Sequence, residues 1–149
     1  MAFFCLCLTT YAGSLTGIKV VQAGATEVPK PDKIKDDWAA NWVHDQLAAA
    51  LQDTGFQVGD SPIQAKVILD EFTSGSFAKR FVIGMGAGRS SITASLVIED
   101  KASGKQLTAV RIHVRGGLIF SSYEDGNSQR REAENSFRQK LVEEIERMK

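Results

Sequence analysis

Beyond residue 7 the chain contains no cysteine. Cys5 and Cys7 are the only two among 149 residues. They stand too close together to bridge easily and have no partner elsewhere, so the sequence offers no structural disulfide. Histidine is equally scarce: His44 and His113 are far apart, and neither belongs to a ligand-spaced motif, which argues against a metal site. No charge of one sign prevails, with Lys plus Arg at 18 and Asp plus Glu at 18. That balance argues against nucleic acid as the main partner, because phosphate binding needs a net basic face. The locally basic run "QRREAENSFRQK" reads as a solvated helix face. Long apolar runs are missing too, and "MAFFCLCL" at the start is far short of a membrane span.

What is present is an ordinary globular composition, 43% hydrophobic and 24% charged, at a length that suits one domain with a real core. Residues 1–16 read as a signal-like apolar segment and 17–149 as a single domain. Two processing readings compete. In one, Cys7 (or Cys5) is the acylated cysteine of a bacterial lipoprotein, although the residues before it are not the usual small ones. In the other, a peptidase cuts after "AGA" (Ala23 to Ala25), which would remove the strand-like "GIKVVQAG". A cytosolic chain with an apolar start is the remaining alternative.

"ATEVPKPDKIK" is an extended, proline-punctuated connector. In "DDWAANWVHDQLAAALQDTGF", Trp38, Trp42, Val43, Leu47, Ala50 and Leu51 share one helical arc. Asp36 and Asp37 suit its start and Gly55 its stop. The two tryptophans are expected in the core, and His44 at the edge of the arc as an exposed or satisfied histidine. "QAKVILDEFTSG" reads as a strand and a turn. "SSITASLVIED" alternates, with Ile92, Ala94, Leu96 and Ile98 on one face and Thr93, Ser95, Val97 and Glu99 on the other. After the turn "DKASGKQL", Val110, Ile112 and Val114 point inward while Arg111, His113 and Arg115 point outward, giving a hairpin with one wet face. Ala133, Phe137, Leu141, Ile145 and Met148 recur at helical spacing near the end. The order predicts an α+β single domain: a mainly antiparallel sheet of four to five strands with two amphipathic helices on one face.

One stretch does not fit this plain pattern. In "KRFVIGMGAGRSSITA", Gly84, Gly86 and Gly88 follow an apolar run. A dinucleotide loop needs G-x-G-x-x-G leading into a helix whose amino end holds the phosphates. Here the spacing is G-x-G-x-G, a strand follows, and G-K-[ST] is missing, so no nucleotide cofactor is expected. Glycines in a strand connection would ordinarily serve the turn. This connection is apolar as well, with Phe81, Val82, Ile83 and Met85 bracketed by Arg80 and Arg89. Small residues alternating within apolar ones permit close packing on another chain or on lipid. Arg80, Phe81, Ile83, Gly84, Met85, Gly86, Gly88 and Arg89 are therefore the candidate interaction segment.

The run "AKVILDEFTSGSFAKRFVIGMGAGRSSITASLVIEDKASGKQL" resembles the core of the bacterial domain of unknown function numbered four-four-one-zero. There a strand ending near "EF" leads to an Arg, an apolar triplet and a G-x-G-x-G run, then an alternating strand and a D-x-x-[ST]-G turn, here Asp100 to Gly104. The order of elements is also similar to the amino-terminal domain of TolB and the periplasmic part of the curli-secretion lipoprotein. The resemblance implies an exported or lipid-anchored envelope protein of a Gram-negative bacterium, in the periplasm or associated with the outer membrane, with no established activity.

No Ser/His/Asp arrangement and no carboxylate pair in an apolar setting is readable, and Asp70, Glu71, Glu99 and Asp100 read as solvated acids near strand ends. The leading expectation is a non-catalytic binding or assembly module whose glycine stretch meets a protein partner, a copy of itself, or lipid. The alternative is a small-ligand or glycan binder using the polar sheet face around Arg111, His113 and Arg115. From the glycine spacing, calorimetric titration with ATP or NAD is expected to give no saturable heat. Saturable binding that Gly86→Val abolishes would contradict this.

Overall fold

The computed structural model describes residues 14–34, 37–73, 91–115 and 126–149, with side chains for all of these except 126–132. The described elements are β1 (Val20–Ala23), a 3-10 turn (Pro31–Lys33), α1 (Ala39–Asp53), β2 (Gln57–Val58), β3 (Ile63–Thr73), β4 (Ser91–Asp100), β5 (Gln106–Arg115) and α2 (Gly126–Met148). The strands form one open mixed sheet in the order β2-β1-β3-β4-β5. The long β3-β4-β5 ladder is antiparallel, and β1 pairs parallel with both β2 and β3 over short stretches. This is the α+β domain expected from the order of elements.

The connector after β1 is more than a spacer. Single parallel bridges at Glu27–Ile68 and Ile34–Phe72 carry it along the flank of β3, and it supplies the N–H of Glu27 to the Val67 carbonyl at 3.0 Å. The flank of β3 that β1 is too short to cover is thereby partly paired.

Both helices pack on one face of the sheet and share one core with it. α1 buries Ala39, Val43, Leu47, Ala50 and Leu51, and α2 buries Ala133, Phe137, Leu141, Ile145 and Met148, the stripe its spacing predicts. From the sheet come Ala65, Val67, Leu69 and Phe72, then Ile92, Ala94, Leu96 and Ile98, then Ile112 and Val114. Trp42 packs as expected, its ring 5.9 Å from both Phe72 and Phe137. Trp38 is displaced from the expected core: it precedes the first turn of α1, is 36% exposed, and meets Phe72 edge-on at 5.3 Å from the rim.

α1 ends as its sequence predicts. Gly55 has φ +95°, its N–H bonds to the Gln52 carbonyl, and the Phe56 N–H bonds to the Leu51 carbonyl. This pair of reversed bonds satisfies carbonyls that the helix leaves open, and the positive φ is what requires glycine. The Thr54 hydroxyl donates to the Ala50 and Leu51 carbonyls beneath it. His44 is satisfied: its Nδ1 donates to the Gly24 carbonyl at 2.9 Å, tying α1 to the end of β1.

β3 contains a bulge. Pairing with β4 runs from Ile63–Asp100 to Leu69–Ala94, then resumes at Glu71–Thr93 and Phe72–Ile92, so Asp70 is an extra residue. Without the extra residue Glu71 would take the inward position and Phe72 the outward one. With it, Phe72 is 2% exposed in the core and Glu71 stands outside.

The domain has two distinct ends. At one, Leu15 is 1% exposed, its N–H donates to the Met148 carbonyl at 2.7 Å, and the Thr16 hydroxyl donates to the Lys149 carbonyl at 2.6 Å. At the other, Thr73, Ser91 and Arg115 stand side by side in register across three strands.

A chain cut after Ala25 would lose Leu15, Val21 and the strand that lies between β2 and β3. Each side chain represents roughly 1.5–3 kcal/mol of burial, against a total stability on the order of 5–15 kcal/mol. A chain starting at Ser14 is therefore expected to unfold cooperatively on heating, and one starting at Thr26 to show no cooperative transition by circular dichroism. A folded 26–149 chain would contradict this account of β1.

Candidate functional site

All eight residues of the candidate interaction segment, from Arg80 to Arg89, lie outside the described residues, and so does Cys7. The frame around the segment is described. Thr73 and Ser91, the residues that flank 74–90, are cross-strand partners, and Arg115, which precedes 116–125, pairs with Ser91. Both stretches therefore join the sheet at the same end, opposite the end where Leu15 meets Met148.

The outward face of the sheet is less wet than its alternation predicts. Thr93 is 7% exposed and Val97 4%, although both point away from the helices. Lys66, opposite Val97, explains part of this, because a lysine stem can cover apolar surface while its ammonium reaches polar partners. Its Nζ lies 2.8 Å from Glu27 and 3.4 Å from Glu99, bridging the connector and β4. The hydrogen bond to Glu27, helped by the charges of Glu27 and Glu99 and opposed by burial, raises the Lys66 pKa above its usual 10.5.

Further along the same face, beside the bulge, lies an open polar groove of about 530 Å³. Its floor is Thr93 and His113, whose Oγ1 and Nδ1 are hydrogen-bonded at 2.7 Å. The bulge places Asp70 and Glu71 on this side in succession. Arg111 of β5 reaches Asp70 at 3.7 Å, and Lys30 and Lys33 flank the groove from the 3-10 turn. Arg111 has 65% of its side chain exposed, so its ion pair contributes at most about 1 kcal/mol and serves orientation more than stability. Glu71 has the hydroxyls of Thr73 and Ser91 at 3.5 Å each, at the limit of hydrogen bonding.

Of the outward row read from the sequence, Arg111 and His113 line the groove, whereas Arg115 does not. The sequence reading missed Lys30, Lys33 and Thr93, and took Asp70 and Glu71 for ordinary solvated acids. One signal was available: Glu71 occupies the phase that Val67 and Leu69 mark as inward, and a carboxylate at a core phase announces a bulge. Among the described residues there is no cluster of three or more His, Cys, Asp or Glu placed to hold a metal, and no helix long and apolar enough to cross a membrane.

An open mixed sheet with its helices on one face is an architecture shared with solved bacterial proteins. One is protein XCC0632 of Xanthomonas campestris, assigned to DUF330, at TM-score 0.57 and 14% identity over 85% of this chain and 81% of that one. PelC of Paraburkholderia phytofirmans, solved as a dodecamer, gives TM-score 0.52 and 13% identity over 93% of this chain and 90% of that one. A minor lipoprotein of Acinetobacter baumannii gives 0.45 and 11% identity over 86% and 92%. Curated proteins give no match. The chain itself belongs to the family described as Domain of unknown function (DUF4410), whose model matches residues 15–117. The match begins at Leu15, where the described core begins, and spans both the glycine-rich segment and every residue lining the groove.

The Lys66 bridge makes a pH-dependent contribution of definite sign. Because the folded-state pKa is raised, the stabilisation is complete below about pH 10.5, the unfolded value, and is lost as pH rises through the folded value. Lys66→Met keeps the stem and removes the charge. Its destabilisation relative to the parent, followed by urea unfolding, is expected to be constant from pH 7 to 9 and to shrink above about pH 10.5. A difference that stays unchanged as pH is taken above about 10.5 would show that the ammonium contributes nothing.

Proposed function

We propose that this protein is a non-catalytic module of the Gram-negative cell envelope that works by self-association through the segment Arg80 to Arg89. The observation that carries this reading is the placement of the segment's flanks. The apolar, glycine-rich stretch lies in sequence between Thr73 and Ser91, which are cross-strand partners at the end away from Leu15 and Met148. Export is supported by the confinement of cysteine to the first seven residues and by the apolar start. PelC, with a similar fold, is a dodecamer, which supports self-association as a use of this architecture.

The same placement favours a second copy over lipid as the segment's partner. If Cys7 carries a lipid, the eight residues from there to Leu15 reach at most about 28 Å. β3 has eleven residues and spans roughly 36 Å. An anchored domain would then hold its Leu15 end toward the membrane and present the Thr73–Ser91 end away from it. The reading requires no nucleotide, metal or nucleic acid.

Size-exclusion chromatography with light scattering tests it. The parent is expected to run larger than a monomer. Ile83→Asp buries a charge without a partner in any such contact, and Gly86→Val blocks close backbone approach. Both are expected to shift the species to monomer with little change in thermal midpoint, because substitutions outside the core usually move stability by less than about 0.5 kcal/mol. A monomeric parent, or variants that assemble unchanged, would refute the reading. Unfolding by Ile83→Asp would assign the segment to the core.

A further inference from the structure

From the geometry of the groove beside the bulge we infer a second site, independent of assembly: a binding site for an acidic sugar, a pyranose that carries a carboxylate. Two features separate this groove from a merely solvated sheet face. Its floor is preset, since Thr93 is 7% exposed and already hydrogen-bonded to His113 Nδ1, which leaves Nε2 as the ring's other polar atom. Its two walls also differ in sign and come from different elements. Asp70 and Glu71 are successive residues on one face, an arrangement that regular alternation forbids and the bulge creates. With them stand Arg111 from β5, Lys33 of the 3-10 turn and Lys30 just before it.

The lining side chains are all polar or charged and their surface is mainly polar, so an apolar ligand finds little surface to bury. A bare anion would use the cations and meet repulsion from Asp70 and Glu71. A neutral sugar would use the carboxylates as acceptors for its hydroxyls and bring no anion to Lys30 and Lys33, while Arg111 kept only its long ion pair with Asp70. A ring bearing both hydroxyls and a carboxylate satisfies the two walls together, with Arg111 suited to grip the carboxylate in a fork. A volume of about 530 Å³ lies within the usual range for small-ligand sites and accommodates one or two such rings.

The probe is D-glucuronate, titrated into the full chain at fixed ionic strength and followed by calorimetry or amide chemical shifts, with glucose and acetate as part-ligands. Glucuronate is expected to bind with a Kd on the order of 1 mM, and glucose and acetate each at least about tenfold more weakly. Lys33→Gln and Arg111→Gln remove the anion wall, and Glu71→Gln weakens the hydroxyl wall. All three side chains are exposed, so each variant is expected to keep its thermal midpoint and lose about tenfold in affinity. Lys140→Gln, on the exposed side of α2, is expected to bind like the parent. Absence of glucuronate binding would overturn the inference. So would acetate binding as well as glucuronate, which marks a general anion patch, or affinity unchanged in Arg111→Gln and Glu71→Gln.

Discussion

The extra residue in β3 is the constraint on which both faces of the sheet depend. Up to Leu69 the strand alternates regularly, with Ala65, Val67 and Leu69 buried against the helices. Continued without interruption, that alternation would aim the Glu71 carboxylate into the core and turn Phe72 toward solvent. A buried carboxylate without a cation is among the most unfavourable groups a core can hold. Phe72 is also the ring on which the edges of Trp38 and Trp42 rest, so its position anchors the start of α1. One unpaired residue in the ladder is a small loss beside either alternative. Its by-product is a pair of adjacent carboxylates on the outer face, opposite the single residue Thr93.

The connector completes that arrangement. Bridging at Glu27 and again at Ile34 keeps it alongside β3 on both sides of the bulge, so the 3-10 turn between the bridges lies beside the bulged residues. The lysines of that turn are brought to the groove by backbone pairing, and no side-chain contact of their own is needed to hold them. Pro31 at the start of the turn favours this path, since proline fixes φ near the value the turn requires. The same connector brings Glu27 to Lys66, the cross-strand neighbour of Val97. Strand irregularity and the connector thus converge on one set of charges, Lys30, Lys33, Asp70, Glu71 and Arg111.

This explains what could be read from the sequence and what could not. The two helices, their buried stripes and the Gly55 stop were legible because helical periodicity and a positive-φ glycine are local signals. The β4-β5 hairpin was legible for the same reason, since period-two alternation needs no knowledge of its neighbours. The groove was not legible, because it joins residues 30–33, 70–71, 93 and 111–113 through pairings that no local pattern encodes. Trp38 was misplaced because an arc drawn through the helical pattern included it, whereas the helix begins one residue later and leaves it on the rim. Val97 and Thr93 were read as wet because alternation reports direction, and direction alone does not report what side chains from adjacent strands lie over a position.

The two ends of the sheet differ in what they can tolerate. At the Leu15 end the chain's first described core residue is hydrogen-bonded to the last turn of α2, so any change there reaches the core directly. At the other end Thr73, Ser91 and Arg115 bound the described parts of three strands and stand in register. The bulge lies just inside that end, with the pairs Glu71–Thr93, Phe72–Ile92 and Thr73–Ser91 described beyond it. Burial of Phe72 fixes the register of these pairs, because a slip of one residue would turn it toward solvent. A change at the bulge therefore acts on the groove and on the placement of Phe72 together, which couples the candidate site to the core.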